Sequence, residues 1–191
     1  MGSANASDPQ QHLIVTDRLR LIPLPVSVYS ALLNGQKHEA ERILGLSLDE
    51  GRLADLAPIV RHRYDQLQQD PAQTAWLIRL MVLRCRSTVV GDIGFHAPPD
   101  ATGMVEIGYT VIESYRGQGF ATEASFALAR WAATQPRVRR LRASISPGNA
   151  ASLRIAQKLG LVAIGRQMDE IDGEEIVFEG PIGPLTQAYS S

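Results

Sequence analysis

A single cysteine, Cys85, excludes an intramolecular disulfide and with it the stapled frameworks that hold small secreted domains together. Long apolar runs are missing too, so neither a spanning helix nor the apolar core of a signal peptide is read, and a cytoplasmic location is expected. No sign of charge is in excess. The 19 Lys and Arg against 20 Asp and Glu leave a formal charge of -1, which gives no reason to expect nucleic acid or a membrane surface as a partner. Any anion site must therefore be local. The four histidines, at 12, 38, 62 and 96, are far apart and show no metal-ligand spacing with the lone cysteine, so no metal is expected. Repeats and linkers are absent as well. The 191 residues, 45% of them hydrophobic, fit one domain with a substantial core. The expected layout is a flexible tail over 1–11, a single domain over 12–180 and a polar C-terminal tail over 181–191. Nothing in the residues fixes an oligomeric state, and a homodimer stays open.

What is present alternates between strand and helix signals. Leu13 to Val15 and Leu19 to Ile22 read as strand pieces around a Thr16-Asp17-Arg18 turn, ended by Pro23 and Pro25. Helical spacing follows over Val26–Leu33 and Gln36–Leu44, stopped at Asn34-Gly35 and Gly45. A third helix, over 56–69, carries Leu56, Ile59, Val60, Tyr64 and Leu67 on one stripe, with His62 and Arg63 on or beside the wet face. Strands are expected over 76–83, 88–95 and 104–112, in antiparallel succession because the links are short. Cys85 falls in the first of these turns and reads as a free surface thiol, with no neighbouring histidine in sequence to activate it. After a helix from Phe120 to about Gln135, an alternating strand over 141–145 leads through Ser146-Pro147-Gly148-Asn149 into a helix over 150–158. Strands over 161–168 and 175–179 flank a hairpin turn at Asp172-Gly173.

The most informative stretch runs from Val105 to Ala124: a strand, a polar turn containing Arg116-Gly117-Gln118-Gly119, and a helix beginning at Phe120. Glycines admit strained backbone and close approach, and the free N–H groups of a helix start attract anions, so this order suits a phosphate. Two common phosphate folds are disfavoured. The third glycine of a dinucleotide fingerprint would fall on Thr122, and no Gly-Lys-Ser/Thr ending follows the turn. A tight turn without a ligand is the remaining alternative if these residues are read in isolation.

With its flanks, Arg116-Gly117-Gln118-Gly119-Phe120-Ala121 resembles the Arg/Gln-x-x-Gly-x-Gly/Ala signature of the GCN5-related N-acetyltransferases (GNAT). The segment from Asn149 to Leu161 is similar to the Asn-x-x-Ser-x-Arg-x-x-x-Lys-Leu-Gly-Phe pattern of that superfamily's ribosomal-protein-N-acetyltransferase-like branch, departing only at Leu161. The resemblance covers roughly 90–178. It implies an α/β (α+β) fold, a mixed and mostly antiparallel sheet flanked by helices, with a splayed central strand pair that binds acetyl-CoA. The implied reaction is direct acetyl transfer to a primary amine on a small molecule or a peptide. A catalytically degenerate acyl-CoA-binding sensor or regulatory module is the alternative.

The resemblance also assigns residues. Main-chain groups near Thr110 and Val111 would pair with the pantetheine arm, and Arg116, Gly117, Gln118, Gly119, Phe120 and Ala121 would hold the pyrophosphate. Asn149 and Ser152 would contact pantetheine, with helix capping as their other role. A lysine ammonium has a reference pKa near 10.4 and an α-amino group about 7.7–8.0, so a base is useful. Glu106 on the central strand is the expected base, with a plain outward strand residue as the alternative. His96 would serve as a base or line the acceptor pocket, or be an ordinary loop histidine. The tyrosine that many members carry as general acid is Ala156 here, and a glutamate used by some is Ser144, so those two roles do not transfer. A hydroxyl such as Ser144 or Tyr109 is left to protonate the thiolate.

Overall fold

The computed structural model describes residues 12–170 and 173–182, apart from the side chains of 50–56 and 58. The expected tail over 1–11, Asp172 of the expected hairpin turn and residues 183–191 lie outside that range. Eight strands form one sheet: β1 (Ile14–Val15), β2 (Leu19–Pro23), β3 (Arg79–Leu83), β4 (Val89–Phe95), β5 (Met104–Val111), β6 (Arg140–Ile145), β7 (Val162–Asp169) and β8 (Gly173–Pro181). The spatial order is β1-β2-β3-β4-β5-β6-β8-β7. Every neighbouring pair is antiparallel except β5 with β6, which is parallel. The helices are α1 (Val26–Leu33), α2 (Lys37–Leu44), α3 (Glu50–Gln69), α4 (Phe120–Ala133) and α5 (Ala150–Lys158).

Alternation along the strands separates two apolar layers. Leu80 and Val82 of β3 join Val28 and Tyr29 of α1 and Val60 and Leu67 of α3 on one face. Met81, Ile93, Val105, Ile107 and Leu141 join Ala124 and Leu128 of α4, Ile155 of α5 and its C-cap Leu159 on the other. The mixed, mostly antiparallel sheet flanked by helices is thus as expected, with helices on both faces.

Four local readings change. Helix α3 begins at Glu50 rather than near Leu56, because Gly51 and Pro58 weaken the helical signal in its first half. Arg63 is buried, not on the wet face, since it stands three residues from Val60 and four from Leu67 on the same stripe. Residues Pro71–Ala75 form a 3-10 turn capped by Asp70, whose Oδ1 accepts from Ala72 N–H at 3.0 Å, so β3 starts at Arg79 rather than at Trp76. At the C-terminal end, β8 reaches Pro181 and Ile182 is buried. Arg79, within the stretch read as apolar, is fully buried: it donates to the carbonyls of His12 and Ala75 and lies 4.8 Å from the Trp131 ring centroid. Burial pushes its pKa down to about 10.

Candidate functional site

The parallel pair β5–β6 is short. It runs only over Met104–Glu106 against Arg140–Arg142. Beyond Glu106, β5 stays with β4 up to Val111, while Ala143 to Ile145 pair only with β8. A fork therefore opens with Glu106 at its apex. The even-numbered residues of β5 bond towards β4, as the bonds His96 N–H to Glu106 O (2.8 Å) and Ile112 N–H to Val90 O (2.9 Å) show. By antiparallel alternation the N–H groups of Ile107, Tyr109 and Val111 point into the fork. Thr110, expected with Val111 to offer its main chain there, instead pairs with Asp92 of β4. The shift is one residue, and it follows from the register.

At the open end of the fork, a 3-10 turn over Glu113–Tyr115 leads to Arg116, whose Nε donates to Val111 O at 3.1 Å. Gly117 and Gly119 then adopt φ of 75° and 81°, the left-handed region that glycine enters without a Cβ penalty. Gly119 is the N-cap of α4 and supplies no side-chain cap. The N–H groups of Phe120, Ala121 and Thr122 have no acceptor within the helix by its geometry. They join the helix dipole in favouring an anion at this point. Gly117, Gln118 and Gly119 are exposed, and a Cβ on Gly117 would meet nothing within 4 Å. Phe120 is buried and Ala121 packs on the core, so these two residues have only main chain to offer a ligand.

The sequence reading missed what lies behind this turn. Arg18, in the β1–β2 turn, donates from Nε and from its backbone N–H to Glu123 (2.6 and 2.9 Å) and from Nη1 to the carbonyl of Gln118 (2.9 Å). Thr16 Oγ1 donates to the same carboxylate. Burial works to raise the Glu123 pKa, but the bonds from Thr16 and Arg18 outweigh it and hold the carboxyl below its ordinary value. A carboxyl depressed in the folded state stabilises fully above its unfolded pKa, and that contribution is lost as pH falls through the folded value. Glu123→Gln is therefore expected to lower stability at about pH 7 and to lose less than the wild type on going to about pH 3.5. Urea midpoints at the two pH values check this; equal losses in both proteins would refute it.

Across the fork, Asn149 caps α5: its Oδ1 accepts from Ser152 N–H at 3.1 Å. Of its two expected roles, capping is the one seen. The Ser152 side chain lies near the Tyr109 hydroxyl. Burial raises the pKa of Tyr109, with Ser152 opposing, so the phenol keeps its proton at neutral pH.

The apex has a polar network on the face opposite Val105 and Ile107. Ser144 donates its hydroxyl to Glu106 Oε1. Gln167 Nε2 donates to Ser144 Oγ at 3.2 Å and to Glu175 Oε2 at 2.9 Å. Ser144 Oγ thus accepts from Gln167 while its own proton goes to Glu106. His96 is exposed, yet it rests on β5: a Cβ on Gly108 would lie 2.8 Å from its Nε2, so any larger residue there would displace the ring. Its pKa lies below the usual histidine value, chiefly through desolvation; Glu106 and Glu175 pull it up, while Arg63 and His62 push it down. The imidazole is neutral at neutral pH and able to accept a proton. Arg63 of α3 donates to the His96 carbonyl and to Gln66 Oε1, which fixes the loop on which His96 stands. The structure thus brings Glu106, Ser144, Gln167, Glu175 and His96 together, and separately Val111, Arg116, Gly117 and Gly119. Among the described residues there is no group of three or more His, Cys, Asp and Glu placed to hold a metal ion, and no helix is long and apolar enough to cross a membrane.

A parallel pair that forks, with a glycine-headed helix at its mouth, leaves a cleft lined by free main-chain N–H groups. Residues 18–162 match the acetyltransferase (GNAT) domain family. The chain is 28% identical over 151 residues to an N-acetyltransferase of Bacillus subtilis, YjdG, covering 78% of this chain and 89% of that one. Among solved structures, a GCN5-related N-acetyltransferase from Brucella melitensis superposes with a TM-score of 0.63 at 19% identity, covering 95% of this chain and 85% of the other. RimL, a ribosomal L7/L12 α-N-protein acetyltransferase bound to coenzyme A, gives 0.60 at 20% identity, with 88% and 97% covered. The microcin C7 self-immunity acetyltransferase MccE, in complex with acetyl-CoA and AMP, gives 0.60 at 17%, with 87% and 93% covered. The chain belongs to the GNAT acetyltransferase family. It is an acetyltransferase that uses acetyl-CoA as its donor.

Proposed function

We propose that the enzyme transfers the acetyl group to a primary amine, on a protein N-terminus or a small molecule, by direct attack without a covalent enzyme intermediate. The observation that supports this reading most is the carboxylate of Glu106 at the fork apex, oriented by the Ser144 hydroxyl and beside the neutral His96. The pantetheine arm lies along β5, and its pyrophosphate sits against the N–H groups from Gly117 to Ala121 with Arg116 alongside. The acceptor ammonium gives a proton to Glu106, and its nitrogen attacks the thioester carbon. Negative charge then grows on the carbonyl oxygen, where the Val111 N–H is the donor; a preorganised donor of this kind is worth about 2.7–4 kcal/mol. The C–S bond breaks, the thiolate takes the proton of the Tyr109 phenol, and the second proton shed by the nitrogen as the amide forms returns to Tyr109. His96 lines the acceptor side. The catalyst works in the cytoplasm as one domain that runs from about residue 12 through Ile182, without a metal.

An acceptor screen followed by coenzyme A release, with Cys85 replaced to remove its exposed thiol from the readout, tests the reading. Turnover with at least one class of primary amine is the expected result. Tight acetyl-CoA binding without thiol release across protein N-termini, amino acids, polyamines and aminoglycoside-like amines would favour the acyl-CoA sensor instead.

A further inference from the structure

Arg18 stands 100 residues from Gln118 in sequence, yet its Nη1 donates to the Gln118 carbonyl at 2.9 Å. The guanidinium is not a loose surface charge. Its Nε is held by Glu123 Oε2 at 2.6 Å, its carbon lies 4.6 Å from the Phe120 ring centroid, and its Nη2 would be 3.4 Å from a Cβ on Gly119. It therefore lies against the back of the glycine turn. Glu123 is itself held by Thr16 Oγ1 and by the Arg18 backbone N–H, so the fork of the guanidinium has one orientation rather than many.

The peptide bond between Gln118 and Gly119 is planar and trans, so its C=O and its N–H point in opposite directions. Pinning the Gln118 oxygen to Arg18 on one side aims the Gly119 N–H out of the other. Gly119 has left-handed backbone and no Cβ, which leaves this peptide open to flipping unless something outside the loop holds it. We infer that Arg18 is a positioning residue for the donor: held by Glu123, it locks the Gln118–Gly119 peptide so that the Gly119 N–H faces the donor's pyrophosphate. This rests on the reading of Gly117 to Ala121 as the pyrophosphate cradle. A plain staple between the β1–β2 turn and α4 would use the same contacts but would not discriminate between donors with and without phosphate.

The test compares coenzyme A with pantetheine, which shares the arm and lacks the phosphates, in the full chain carrying 15N. Dissociation constants come from calorimetry for coenzyme A and from amide shifts for pantetheine. Arg18→Ala is expected to weaken coenzyme A about tenfold, the loss of one charge-assisted hydrogen bond to phosphate. Pantetheine affinity should stay within about twofold, and the Gly119 amide shift on adding coenzyme A should shrink. Arg18→Lys, which keeps the charge but not the fork, should fall between the two and keeps the test open if Arg18→Ala melts. Unchanged coenzyme A affinity, or equal loss for both ligands, overturns the proposal. A wild type that binds coenzyme A no better than pantetheine would overturn the cradle itself, a different failure.

Discussion

Glu106→Gln is expected to lower kcat about 100-fold, at the lower end of what a positioned general base contributes, while the dissociation constant for acetyl-CoA stays nearly the same. The substitution is isosteric, and the Ser144 hydroxyl can donate to an amide oxygen as it does to the carboxylate, so the apex of the fork keeps its shape. What is lost is the ability to take a proton from the acceptor ammonium. Binding of the donor should not respond, because the proposed contacts of its arm use the main chain of β5 and those of its pyrophosphate use the glycine turn, and neither uses the Glu106 side chain. Steady-state turnover and calorimetry on the same preparation read the two effects separately. Unaltered turnover would move the base away from Glu106, and His96, neutral at neutral pH and beside it, would be the next residue to replace.

Gly119→Val should weaken acetyl-CoA by at least about 100-fold while α4 remains folded. A left-handed L-residue costs roughly 1–2 kcal/mol, and a β-branched one more, so the φ of 81° at Gly119 would relax towards negative values. That rotation turns the flanking N–H groups off their common focus. Hydrogen bonds to charged groups contribute about 1.5–3 kcal/mol each, so losing two accounts for the expected factor. Far-ultraviolet circular dichroism on the variant checks the helix, and calorimetry checks the affinity. Gly117→Val strains the backbone in the same way with open space around the new side chain, and should act in the same direction. Wild-type affinity in either variant would show that the turn does not hold the phosphates.

Elements and site were legible in the sequence to different depths. The glycine turn is read directly, because left-handed backbone and an uncapped helix start leave glycines at fixed positions on the chain. So is the Asn149 cap, whose acceptor is only three residues from its donor. The alternation of β5 and β6 predicts strands, but periodicity does not say where two parallel strands part company. The structure places that point after Glu106 and Arg142, beyond which β5 keeps only β4 and β6 keeps only β8. The register also decides that Thr110 bonds towards β4 while the Val111 N–H faces the fork.

The burial of Arg63 follows from its place on the α3 stripe, yet its charge makes the opposite reading natural until the His96 carbonyl is found at its head. Arg79 is hidden for the same reason, its two terminal nitrogens held by carbonyls and its face near a ring rather than paired with an acid. Glu106 is visible in sequence as a carboxylate on the central strand, while the hydroxyl that orients it lies 38 residues on, and the Arg18–Gln118 bond spans 100. By itself the sequence determined the family, the order of elements and the glycine turn, because each depends on chemistry between near neighbours. Only the tertiary structure decided what holds that turn and what orients the apex carboxylate, because a hydrogen bond between distant segments leaves no spacing in either of them.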